Sequence, residues 1–136
     1  MKNILRNILA MVIGLFVGGT VNMGIITISG SIIPPPEGAD TTTMEGLKAA
    51  MELFEIKHFI FPFLAHAIGT LVGALLASLI AVSHQLKLAM VIGIFFLIGG
   101  ITMVLSVPSP LWFTIVDLGL AYIPMAWIGW RITEKR

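Results

Sequence analysis

The chain has 136 residues, of which 57% are hydrophobic and 11% charged, and its net charge is +1. A soluble domain is about a quarter charged, so a mean hydropathy of +1.02 excludes a disordered chain, a basic nucleic-acid module and most soluble enzymes. The absence of cysteine removes disulfides, iron–sulfur clusters and thiolate zinc sites.

Charge-free runs come first in chain order. Thirty residues separate Arg6 from Glu37, 29 separate Lys57 from Lys87, and 29 more separate Lys87 from Asp117. A helix crosses a bilayer with about 20 apolar residues, because the hydrocarbon core is about 30 Å thick. Leu88 to Trp130 would be about 64 Å of helix, too long for one crossing, and it is interrupted by Pro108-Ser109-Pro110. The pattern predicts an all-α integral membrane protein forming a single domain. Its four transmembrane helices, at about 8–30, 59–83, 88–106 and 111–131, pack as an antiparallel bundle. The first run exceeds a signal h-region and lacks a small-residue cleavage site, so it reads as a span.

Residues 31–58 form the one sizeable loop. After Pro34-Pro35-Pro36, Thr42-x-x-Glu45 has the capping-box pattern. Met44, Leu47, Met51 and Phe54 then share a helical stripe opposite Glu45, Lys48, Glu52 and Glu55. This predicts an amphipathic outer helix of about four turns over 43–56, either separate or continuous with span two across Pro62. Glu55 and His58 have the Glu-x-x-His spacing of carboxylate-bridged metal bundles. They are candidate metal ligands that a second chain would have to complete.

Small residues recur at i, i+4. Span two carries Ala65, Gly69, Gly73, Ala77 and Ala81, and span one carries Ala10, Gly14 and Gly18, with Asn22 next on the stripe. Membrane helices associate through such GxxxG-type grooves. The two stripes are therefore expected to meet each other or to form a homo-oligomer contact. Gly93 and Gly100 give span three a weaker stripe, as Gly119, Ala126 and Gly129 do for span four.

Polar residues inside the spans are the candidate ligand or proton site: Asn22, His66, Thr70, Asp117 and Tyr122. A carboxylate at a span's centre costs about 2.5–3.5 kcal/mol on insertion scales, so Asp117 needs a partner. His66 is the one titratable candidate elsewhere in the spans. Counted from the span ends, Asn22, His66 and Asp117 all lie roughly 10 Å below the outer surface, with Gly99-Gly100 leaving space near that level.

Three functions compete. One is a small transporter, or an ion- or solute-binding protein, using Asn22, His66 and Asp117. The second is a non-catalytic accessory or scaffold subunit of a membrane assembly. The third is an enzyme acting on a lipid or quinone through Glu55, His58 and His66. No catalytic motif supports the third, and no cofactor is specified. The expected partners are the lipid bilayer and either further copies of the chain or a membrane complex; nucleic acid is not expected.

The Lys/Arg distribution predicts orientation in a plasma membrane (the inner membrane if bacterial). Lys2, Arg6, Lys87, Arg131, Lys135 and Arg136 share one side, while Lys48 and Lys57 lie with five acids on the other. Both termini are therefore expected in the cytoplasm. Reporter fusions should place residue 45 outside and residue 85 inside; the reverse result would overturn this orientation.

Overall fold

A computed structural model describes residues 1–134; Lys135 and Arg136, counted above on the inner side, lie outside the described residues. Six α-helices follow in order: α1 (Lys2–Ile32), α2 (Met44–Ala50), α3 (Ile60–Ile80), α4 (Gln85–Ser106), α5 (Leu111–Leu120) and α6 (Ile123–Glu134). No strand occurs among the described residues. Four helical stretches are long and apolar enough to cross a membrane: Lys2–Ile32, Ile56–Ile80, Gln85–Ser106 and Leu111–Glu134.

The usual distribution of side chains is inverted. The interior is built from small or polar residues, among them Ala10, Ala65, Ala74, Ala77, Ala89, Ala126, Thr70, Ser78 and Asp117. The exterior carries Phe16 at 73% exposure, Ile98 at 58%, Leu105 at 79% and Leu111 at 75%. A protein surrounded by water does not leave continuous apolar surface on this scale. The four apolar helices suggest a membrane protein, in which small buried residues let backbones approach.

Helix α3 is the hub, touching α1, α4, α5 and α6. Its contact with α1 is backbone against backbone. A Cβ on Gly73 would lie 2.7 Å from the Gly14 carbonyl oxygen, and one on Gly14 would lie 2.6 Å from that of Gly73. Gly18 and Gly69 meet reciprocally, at 2.7 and 2.8 Å. Helix α4 closes over this seam, with Ile92 against Gly14 and Gly73 and Phe96 against Gly18 and Gly73. Helix α6 joins by the same device, because Gly93 of α4 receives Ala126 and Gly129 rests on the Leu71 carbonyl of α3.

The other end of the α1–α3 contact is tied by side chains. Arg6 Nε donates to the Ile80 carbonyl at 2.8 Å. Asn7 accepts from the Val82 N–H at 3.0 Å and donates to Ser83 Oγ at 2.9 Å. These bonds occupy groups that the end of α3 leaves free. Span two therefore stops at Ile80, short of the expected 83, and His84 turns the chain with φ 56° before α4.

Three sequence expectations need correction. The outer amphipathic helix is not four turns long: α2 covers Met44–Ala50, a 3₁₀ turn covers Met51–Leu53, and Phe54 and Glu55 are extended (ψ 131° and 172°). That break separates α2 from α3, so the two are not continuous. A second 3₁₀ turn, Ile56–Phe59, leads into α3 and places Pro62 in its first turn. There the missing N–H leaves only the His58 carbonyl without an in-helix donor.

The capping assignment also shifts by one residue. Thr43, not Thr42, caps α2, with its hydroxyl accepting from the Gly46 N–H at 2.9 Å. Thr42 instead donates its hydroxyl and N–H to Asp40 at 2.5 and 3.0 Å, holding that carboxyl below the usual range. On the stripe, Leu47, Met51 and Phe54 are half-buried, but Met44 is 50% exposed because the helix starts there and projects past its neighbours.

The last span is not one straight helix. Pro124 cannot donate to the Leu120 carbonyl, and the chain bends at Ala121–Tyr122 between α5 and α6.

The glycine seam makes a test. Gly73→Ala forces a methyl against a backbone carbonyl that has nowhere to go, so stability should fall by about 1–3 kcal/mol. Gly19→Ala, where nothing lies within 4 Å, should leave the melting temperature unchanged or slightly raised. Equal effects of the two changes on thermal unfolding would refute the close contact.

Candidate functional site

The bend after α5 turns Tyr122 back toward the residues it follows. Asp117, 3% exposed, lies on the buried face of α5, one turn before the bend. Its Oδ1 is 2.8 Å from Nδ1 of His66 on α3, and its Oδ2 accepts from the Tyr122 hydroxyl at 3.4 Å. The His66 and Tyr122 rings stack, 5.7 Å apart and 24° from parallel. Tyr122 in turn fills the notch at Gly100, where a Cβ would lie 2.6 Å from its hydroxyl oxygen. The space expected at Gly99-Gly100 is thus occupied at Gly100 by the phenol that holds the carboxylate, while a Cβ on Gly99 would meet nothing within 4 Å.

An ionised carboxylate only accepts hydrogen bonds. With Asp117 in that form, His66 presents its Nδ1 proton to Oδ1, and a neutral ring keeps a lone pair on Nε2. The His66 side chain is 22% exposed while that of Asp117 is 4% exposed, so the imidazole is the pair's contact with its surroundings.

Two of the other candidates stand apart from this pair. Thr70 is buried, but its hydroxyl donates to the His66 carbonyl at 2.7 Å within α3, which occupies it locally. Asn22 lies against Gly69 in the α1–α3 seam, where a Cβ on Gly69 would be 3.0 Å from the Asn22 Cβ. The Asn22 Oδ1 is buried and has no hydrogen-bond partner among the described residues. Depth matching placed three groups at one level; rotation about the helix axes brought two of them together.

A cavity of about 560 Å³ extends from the pair toward the loop side. Of its lining residues on α3 and α5, His66 and Asp117 are the deepest; Met23 on α1 and Met103 on α4 mark the same end. Leu47, Met51 and Phe54 of the outer segment form its roof. That segment is fastened by an aromatic cluster, with Phe59 against Phe54 at 5.5 Å, Trp112 at 5.5 Å and Phe113 at 4.6 Å. Phe59 and Phe113 escaped notice in the sequence because nothing distinguishes them from other aromatics in an apolar run.

The Glu-x-x-His pair has a local role. The Glu55 N–H donates to His58 Nδ1 at 2.8 Å, which caps the 3₁₀ turn, and the Glu55 carboxylate is 3.7 Å from Lys57 Nζ. No group of three or more candidate ligands occurs among the described residues. Within one chain the pair supplies two candidate ligands, and His58 Nδ1 is engaged by the Glu55 backbone N–H. Glu55, His58 and His66 do not form one acid–base site: His58 and His66 both line the cavity, but Glu55 does not.

Removing one partner of a buried charged pair costs about 3–5 kcal/mol, because the other is stranded. His66→Phe should therefore destabilise strongly, and His66→Phe with Asp117→Leu should cost less than the sum of the single changes. Strict additivity in thermal unfolding would mean that the two side chains do not interact.

No family model matches the chain, and no curated protein or solved structure is similar to it, so its function has to be read from the site.

Proposed function

We propose that the chain is a four-span integral membrane protein that binds a small molecule in a cavity facing the outer side, with His66 and Asp117 as its polar contact. The charge-free spacing and the Lys/Arg bias support antiparallel spans with both termini cytoplasmic. The register of Gly14 on Gly73 and Gly18 on Gly69 agrees with antiparallel α1 and α3. The observation that carries the reading is the cavity of about 560 Å³ ending at a buried acid–imidazole pair. Ligand sites are typically concave and mostly apolar, with a few convergent polar groups.

Binding is favoured over open conduction. Beyond the pair, Phe96 and Ile92 of α4 pack into the glycine seam of α1 and α3. That packing fills the α1–α3–α4 seam beyond the pair, which supports entry to the site from the loop side. The scaffold reading needs no cavity and no buried carboxylate, and both features stand unexplained under it.

A cysteine-free chain permits a direct test. Val104 lines the cavity, whereas Ile98, near the middle of the same helix, is 58% exposed on the apolar exterior. In membranes, Val104→Cys should react with a charged methanethiosulfonate added from the outer side. Ile98→Cys should not, because hydrocarbon excludes both reagent and thiolate. Reaction at residue 98 but not at 104 would overturn both the membrane and the cavity assignments.

A further inference from the structure

We infer that the ligand of this cavity is a membrane-soluble molecule with an apolar body and one neutral hydroxyl at its leading end, which donates to His66 Nε2. The inference rests on the cavity reading above and assigns its chemistry from what the pair leaves free.

The carboxylate is already engaged. Asp117 Oδ1 faces His66 Nδ1 at 2.8 Å and Oδ2 takes the Tyr122 hydroxyl at 3.4 Å. The Asp117 side chain is only 4% exposed against 22% for His66, so a group entering the cavity meets the imidazole before the carboxylate. The Thr70 hydroxyl is turned back onto its own helix. What remains is the second ring nitrogen of His66, which makes no hydrogen bond among the described residues. With the carboxylate holding the Nδ1 proton, Nε2 is an acceptor. An acceptor at the end of a cavity selects a donor.

The walls set the rest of the molecule. Ile26, Met51, Phe59, Met103 and Phe113 line the cavity between the roof and the pair. They offer dispersion and burial. The polar lining groups lie nearer the loop side, where the Thr27 and Ser29 hydroxyls donate to carbonyls of their own helix, His58 Nδ1 takes the Glu55 N–H and Lys57 stands beside Glu55. Met51 and Met103 adapt their shape to an apolar guest. Helices α1 and α4 form facing walls yet share few contacts with each other. That leaves the bilayer as the nearest reservoir of such a molecule. A hydroxyl rather than a carboxylate fits, because an ionised carboxylate only accepts and would meet another acceptor at Nε2.

The test uses two probes that differ only in the donor: para-hexylphenol and para-hexylanisole. Each is titrated into the full chain in lipid nanodiscs, with nitrogen-labelled histidine and methyl-labelled valine observed by NMR. His58→Gln and His84→Gln remove the signals of the other two histidines and leave those of His66 assigned. The phenol should shift the Nε2 signal saturably and move the Val104 methyls, while the anisole should bind about tenfold more weakly, as expected for loss of one hydrogen bond. If both probes move the Val104 methyls with equal affinity, the cavity stands and the hydroxyl assignment is overturned. If neither moves Val104 or His66, the cavity reading fails, and this inference with it.

Discussion

The bundle depends on two helices touching through their backbones. At Gly14–Gly73 and Gly18–Gly69 no side chain separates α1 from α3. In an apolar surrounding, burying leucines gains little, since lipid tails are as apolar as they are. Attraction must come from close packing, which glycine permits over a long interface. The consequences reach the rest of the fold. Because α1 and α3 are so close, Ile92 and Phe96 of α4 suffice to fill the groove between them. The seam is thereby solid at one end, and the helices part only beyond Phe96, where the cavity begins.

Within that frame one expensive group organises its neighbourhood. Asp117 is almost fully buried among apolar helices and has partners on both oxygens. Meeting that requirement uses three features that look unrelated in the chain: a histidine on α3, a tyrosine beyond the bend, and a glycine on α4 that admits the tyrosine ring. The bend itself follows from Pro124. A straight helix from 111 to 134 would point Tyr122 elsewhere, since residues five apart do not share a face as closely as those three or four apart. The kink and the carboxylate therefore form one device.

The outer segment illustrates competition between local signals. Thr42-x-x-Glu45 and the apolar stripe both point to a long helix, yet the chain breaks at Phe54 and Glu55. The aromatic contacts of Phe54 with Phe59, and of Phe59 with Trp112 and Phe113 of α5, reward an extended link more than helix continuation would. Within the chain the Glu-x-x-His spacing serves a turn, because a histidine three residues on reaches the free N–H at a helix start.

The sequence by itself determined the helical class, the four apolar stretches, the break at Pro108-Ser109-Pro110 and the small-residue stripes. Each depends on composition or on periodicity along one helix. It also singled out Asp117 and His66, since an acid and an imidazole stand out against an apolar background. Tertiary structure alone decided that these two meet at 2.8 Å while Asn22 faces the α1–α3 seam. It alone placed Tyr122 in the Gly100 notch and opened a cavity above the pair. The reason is geometric. Residue spacing gives position along a helix axis at about 1.5 Å per residue, but rotation about that axis and the tilt between helices follow from which surfaces pack together.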